Sequence, residues 1–284
     1  MSRIAYVNGA YLPMDTAFIH IEDRANQFAD AVYEVVTVYN GRFIDMDAHI
    51  DRLERSLNEL HIQMPMARSA MMVVLAETAR KNRATNAILY IQVSRGIVKR
   101  DHAFPVAARP CLTVTCRRFD FAAVKARAEK GIKTITTPDI RWGRCDIKST
   151  SLLPNVLAKQ AAKEQGAAEA IMLDEAGNIT EGSSTNVWMV TKDGVLVTRS
   201  IDDNILPGIT RAAVMTIARD FQIKIEERAF SLAEAQNAAE MFLTSSTNCA
   251  MPIIMVDTKK IGDGKPGSTT KRIVDAYWSM MEKA

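Results

Sequence analysis

The chain has 284 residues, 48% of them apolar, with 36 Lys and Arg against 33 Asp and Glu for a formal charge of +3. That length holds one large or two medium domains, and the near balance of charge argues against a nucleic-acid partner. No run is apolar enough to span a membrane, and the opening MSRIAYVNGAYLPMD lacks the basic and apolar regions of a secretory signal, so a cytoplasmic location is expected. Cys111, Cys116, Cys145 and Cys249 form no C-x-x-C pair and the four histidines lack ligand spacing. Reduced thiols and no metal are therefore expected.

In chain order, AVYEVVTVYNGRFI is β-rich and turns at Asn40-Gly41, a hairpin signal. Ile50, Leu53, Leu57 and Leu60 fall at helical spacing and predict a helix over 45–60, with a second over about 67–81. NAILYIQVSRG and PCLTVTCRRF return to strand character. The pattern breaks near 119–123, which predicts an N-terminal domain over 1–118, a linker over 119–123 and a C-terminal domain over 124–284. The second domain opens with AAVKARAEKG and the strand KTITTP. A helix is expected over about 153–166, then the strand EAIMLDE, a turn at 176–178, the strand TNVWMVT and the strand VLVT. After LPGIT a helix runs to about Phe221, and the strands IKIEER and EMFLTS and a terminal helix close the chain. Hairpins mixed with helices imply an α+β fold. GDGKPG matches G-x-G-x-x-G in form, but no βαβ unit surrounds it and the chain ends too soon for the acidic partner, so it reads as a surface turn.

Several stretches carry chemistry, each with a plainer alternative. Lys148, in DIRWGRCDIKSTSLLPNVLAKQ, has no charged neighbour after it until Lys159, unlike a lysine on a solvated face. A lysine drawn out of water becomes available as nucleophile or base, although most lysines at strand ends are structural or exposed. LPGITR places Gly208, Ile209 and Thr210 before a helix, where free N–H groups make an anion cup, unless Thr210 only caps the helix. TSSTN, with Ser245 and Ser246, ends a strand in hydroxyls suited to phosphate or to an ordinary turn. Glu181, in TEGSSTN beside Ser183 and Ser184, either faces a buried cation or is solvated at a hairpin. Arg52 in HIDRLERS either reaches an anion or pairs along its own helix. Tyr33 is by default core, and Arg100 and His102 suit a carboxylate or decorate a charged loop tip. Together these supply what a pyridoxal-5'-phosphate (PLP) enzyme needs.

EDRANQFADAVYEVVTVYNG, HIDRL, the QVSRG and RDHAFP stretches, the run around Lys148, TEGSSTNV, GITR and FLTSST together resemble the fold-type IV PLP enzymes, most of all the bacterial D-amino-acid aminotransferases. The resemblance implies a two-domain fold with a smaller N-terminal α/β domain and a larger C-terminal domain built on a pseudo-barrel sheet. It implies Lys148 as the Schiff-base lysine, Glu181 as partner of the pyridine nitrogen, and Arg52, Ile209, Thr210 and Ser246, beside Ser245, around the phosphate. Leu206 would pack on the ring, and Ser183 and Ser184 would line the pocket beside Glu181. Tyr33, Arg100 and His102 would trap the substrate carboxylate, and a homodimer is expected because in the family that loop crosses from the neighbouring subunit. Transamination of D-amino acids with 2-oxoglutarate or pyruvate follows. A branched-chain L-amino-acid or (R)-amine aminotransferase, an aminodeoxychorismate-type lyase and a non-catalytic PLP carrier are the alternatives. Departures from the family pattern are Ala29 and Ala31 where glycines are usual, Ser245-Ser246 for a Ser-Thr pair, and Asp101 between Arg100 and His102.

Overall fold

A computed structural model describes residues 3–202 and 204–283. The chain divides into two units, one ending at Asp120 and including Ile147–Ser151, the other Phe121–Asp146 with Leu152–Lys283. The segment that carries Lys148 thus clusters with the first unit.

The first unit holds β1 (Ile4–Val7), β2 (Ala10–Pro13), α1 (Arg24–Phe28), β3 (Ala31–Tyr39), β4 (Arg42–Phe43), α2 (Met46–Glu59), α3 (Arg68–Lys81), β5 (Ala87–Ser94) and β6 (Cys111–Arg118). Its strands form one antiparallel sheet in the order β2-β1-β6-β5-β3-β4. Asn40 and Gly41 both take positive φ, +50° and +81°, as a two-residue hairpin turn matched to strand twist requires. Alternation sets the core face: Val32, Val36 and Val38 of β3 pair with Val93, Leu89 and Ala87 of β5 and pack on Ile50, Leu53 and Leu57 of α2 and on Met71 and Leu75 of α3. Each such aliphatic contributes about 1.5–3 kcal/mol by leaving water. Glu34 lies on this same face, opposite Ile91 and fully buried.

The second unit contains α4 (Phe121–Lys130), β7 (Ile132–Pro138), α5 (Leu153–Glu164), β8 (Glu169–Leu173), β9 (Ile179–Gly182), β10 (Asn186–Val190), β11 (Leu196–Thr198), α6 (Ile209–Asp220), β12 (Ile225–Glu227), α7 (Leu232–Gln236), β13 (Glu240–Ser245), β14 (Cys249–Val256), β15 (Lys259–Lys260) and α8 (Ser268–Lys283). Its curled, mixed sheet runs β12-β11-β10-β13-β14-β7-β8-β9, with β15 on β14. The pairs β11–β12, β14–β7 and β7–β8 are parallel. β8, β9 and β10 are almost wholly buried, so apolar side chains occupy both faces, and Glu169, Thr180, Glu181 and Asn186 are buried polar members among them. β14 is a strand beyond the sequence reading, which passes from EMFLTS straight to the terminal helix. Pro252 inside it argues against a central strand, yet pairing with β7 begins only at Ile253. No helix among the described residues is long and apolar enough to cross a membrane.

Candidate active site

In the first unit, Ile147 is buried in the core and anchors the segment before Lys148. The Lys148 backbone N–H donates to Ser56 Oγ at 3.3 Å, and its carbonyl accepts from the Tyr33 N–H at 3.0 Å. Ser149 bridges Val32, and Thr150 donates its N–H to the Ala31 carbonyl and its hydroxyl to the Ala29 carbonyl. The lysine is therefore fixed against the start of β3 by backbone bonds on both sides. Its Nζ lies 4.3 Å from the centre of the Tyr33 ring, and Tyr33 in turn stacks on Tyr90 at 5.2 Å. Tyr33 is half-buried on the face of β3 opposite the core, so the default core reading does not hold.

Arg52 does not pair along its own helix. Its Nε and Nη2 donate to Glu34 Oε1 at 2.7 Å and Oε2 at 2.9 Å, a two-pronged bond from α2 to β3. His49 Nδ1 lies 2.7 Å from the same Oε2. Burial works to raise the Glu34 pKa, but the Arg52 charge and the hydrogen bonds of Arg52 and His49 prevail and hold the carboxyl at about 2. Sequence reasoning misses Glu34 and His49. The available signal is an acid at a core-phase position of β3 with two basic side chains three residues apart on the following helix.

Arg100 and His102 sit exposed on the 95–110 loop between β5 and β6. The Arg100 guanidinium lies 4.5 Å from the Phe28 ring centre and the His102 ring 5.3 Å from it. Asp101 turns its carboxylate to the Ala103 N–H at 3.0 Å instead of to Arg100. Ala29 ends α1 in the left-handed region at φ +54°, so the alanine there is strained, while Ala31 is ordinary strand backbone.

In the second unit, Glu181 lies in β9, only 6% exposed, which removes the solvated-hairpin reading. Arg141 Nη1 donates to Glu181 Oε1. The Leu206 N–H and Asn186 Nδ2 each reach Glu181 Oε2 at 3.2 Å. Arg141 also grips Asp139 through Nε at 2.9 Å and Nη2 at 2.6 Å, and Thr180 donates to Asp139 at 2.6 Å. Burial opposes the Arg141 charge, but the Asp139 bond and the Glu181 charge outweigh it and raise its pKa. Burial likewise pushes Asp139 up, and the Arg141 and Thr180 bonds bring it below its ordinary value. Sequence reasoning gives Arg141 and Asp139 no role, although both lie in the stretch around Lys148. A short R-x-x-x-C loop gives no hint that its arginine turns back onto an acid forty residues later. Burial pushes the thiol of Cys145, beside this cluster, up to about 11.

Gly208 precedes α6, whose first turn has no capping side chain; Thr210 lies inside the helix, buried, and does not cap it. A Cβ on Gly208 would lie 2.0 Å from Asn186 Oδ1, so only glycine lets the helix start approach that amide. Leu206 is half-buried and its carbonyl accepts from Asn186 Nδ2 at 3.0 Å. Ser183 and Ser184 turn their hydroxyls to Glu169, a buried acid that sequence reasoning also misses, rather than to Glu181. Ser245 Oγ accepts the Asn248 N–H at 3.1 Å in the turn that also carries Ser246.

The amino-transferase class IV family model matches residues 31–256. A D-alanine aminotransferase of Bacillus licheniformis is 38% identical over 269 residues, spanning 95% of this chain and 94% of its own. The chain belongs to the class IV aminotransferases. The fold agrees: a branched-chain amino acid aminotransferase of Escherichia coli superposes with a TM-score of 0.90 at 24% identity, covering 99% of this chain and 95% of its own. A PLP-bound form of an aminotransferase from Mycobacterium tuberculosis gives 0.85 at 21%, covering 98% of each chain. This class IV aminotransferase is PLP-dependent, with the fold-type IV architecture. Its residues suit that group in kind: an amine, a buried arginine, an uncapped helix start and a buried carboxylate in a cluster of negative sum.

Proposed function

We propose that this aminotransferase acts on D-amino acids, D-Ala and D-Glu among them, with 2-oxoglutarate or pyruvate as acceptor. The observation that carries the reading is the exposed Arg100–His102 pair, with the arginine laid on Phe28 and its neighbouring Asp101 turned away. Such a pair offers a cation and an imidazole to one carboxylate. Near full-length similarity to D-alanine aminotransferases supports it.

PLP supplies an aldehyde that bonds to amines and a pyridinium ring that draws electrons from the substrate Cα. Lys148 would hold that group through its side-chain amine, and the same Nζ, once free, would take the proton from the substrate Cα. The backbone bonds to Tyr33, Ser56 and Ala31 keep that amine from wandering. Glu181 receives the pyridine N–H, and Arg141, Asn186 and the Leu206 N–H hold its carboxylate in place. Leu206 would pack against the ring. Arg52, Ile209, Thr210, Ser245 and Ser246 receive the phosphate, with the α6 dipole favouring its charge. Ser183 and Ser184 support the pocket through Glu169. Tyr33, Arg100 and His102 orient the substrate carboxylate. The enzyme works as a cytoplasmic homodimer: Phe18, Ile21, Phe104 and Val106 leave apolar surface in the first unit for a second copy, and its four cysteines are free thiols.

The branched-chain L-amino-acid reading rests on structural likeness at 24% identity, which reports fold alone. Titrating the purified holoenzyme with D-Ala, D-Glu, L-Leu and (R)-1-phenylethylamine separates the two. Loss of the visible cofactor band with the D-amino acids is expected, and loss with L-Leu alone overturns the D-specific reading.

A further inference from the structure

Arg24, the first residue of α1, is 3% exposed and holds none of the roles assigned above. Its Nε donates to Asp30 Oδ2 at 2.6 Å. Its Nη1 donates to the Asp101 carbonyl at 2.5 Å, and its Nη2 reaches the His102 carbonyl at 3.4 Å. A buried guanidinium is thus spent on the backbone of the two residues that follow Arg100. Asp30 also receives Arg95, through Nε at 2.7 Å and Nη2 at 3.0 Å, and the Arg95 guanidinium lies 3.7 Å from the Phe104 ring centre. One largely buried carboxylate therefore bonds both guanidinium groups, Arg95 at the start of the stretch and Arg24, which reaches the carbonyls of Asp101, His102 and Ala103. Between them, the Phe28 ring carries Arg24 at 4.7 Å and Arg100 at 4.5 Å.

We propose that Arg24, tied to Asp30 and layered on Phe28, is a positioning residue that holds the 100–103 backbone so that Arg100 and His102 meet the substrate carboxylate already in place. This rests on the reading of Arg100 and His102 as that trap. The physical reason is the length of the connection. Sixteen residues without helix or strand, 95–110, would sample many conformations, and ordering them on substrate arrival would weaken binding. Donation from a charged group to carbonyls is among the stronger hydrogen bonds and fixes backbone rather than side chain. A lysine at position 24 keeps the charge beside Asp30 but loses the fork that reaches two carbonyls. A leucine at position 28 keeps apolar volume but removes the ring face on which both guanidinium groups lie.

The test is steady-state kinetics of the holoenzyme with D-Ala. Arg24→Lys and, separately, Phe28→Leu are each expected to raise KM about tenfold with kcat within about twofold and the visible cofactor spectrum unmoved. In an Arg100→Ala background, Arg24→Lys is expected to raise KM by much less than tenfold, because only the part of its action that runs through His102 remains. Wild-type KM in both single variants, or additive effects in the double variant, overturns the proposal. Failure of the underlying reading looks different: Arg100→Ala itself then leaves KM for D-Ala unchanged.

Discussion

Each unit buries an arginine against carboxylates, but the two clusters are built to opposite electrical ends. In the first, one acid serves two basic side chains: Glu34 takes both Arg52 and His49. Those three sum to zero with the imidazole neutral and to +1 with it protonated. In the second, one arginine serves two acids, since Arg141 bonds both Asp139 and Glu181, and the sum is −1. The bonds are alike; the counting differs. A cluster with no surplus negative charge can face a phosphate, and one with a surplus carboxylate can face a pyridinium. Low local dielectric makes that single unit of charge matter more than it would at the surface.

The largest expected effect separates the clusters by stability. The Glu34 carboxyl sits at about 2 when folded against an ordinary 4.5, so folding favours its ionised form. Its contribution, on the order of 3 kcal/mol, is whole above pH 4.5 and fades as the pH falls toward 2. Glu34→Gln is expected to cost about 3–5 kcal/mol in urea unfolding at pH 7, because it removes the buried negative charge that Arg52 and His49 share, and to flatten the acid limb of the stability curve. Next in size, Glu181→Gln leaves folding nearly intact while lowering kcat about 100-fold in stopped-flow turnover with D-Ala. Loss of stability without loss of rate in that variant would erase the contrast between the clusters.

Asp139→Asn sharpens the charge argument. It brings the second cluster from −1 to zero with little change of shape, and the expected result is about tenfold weaker PLP binding by equilibrium dialysis. The smallest effect tests backbone alone: Ala29→Gly relieves the left-handed alanine at the end of α1 and is expected to raise stability by about 0.5–1 kcal/mol in thermal melts.

Much of this was legible in the chain. Period-3.6 spacing in α2 and the Asn-Gly turn before it are local signals, and local signals survive folding unchanged. Lys148 stands out because no charged neighbour follows it until Lys159, Glu181 because small hydroxyl residues flank it, and Thr210 because it opens a helix after a glycine. What stayed hidden was pairing at long range. Arg52 finds Glu34 rather than a helix neighbour because burial rewards a two-pronged acid more than an exposed i,i+4 partner, and Nη1 of Arg141 reaches Glu181 forty positions away while its other nitrogens hold Asp139. β14 escaped for the opposite reason: its proline is a local signal that the ladder evades by starting pairing to β7 one residue later. The serines at 183 and 184 sit beside Glu181 in sequence, yet strand geometry turns their hydroxyls to Glu169 on β8.

The most direct test of the whole account is chemical. The holoenzyme is reduced with borohydride, digested with trypsin and mapped by mass spectrometry. The expected result is a pyridoxyl label on Lys148, which blocks cleavage there and leaves one peptide running from Cys145 to Lys159. A label on Lys159 or any other lysine, or cofactor released unlabelled, would contradict it.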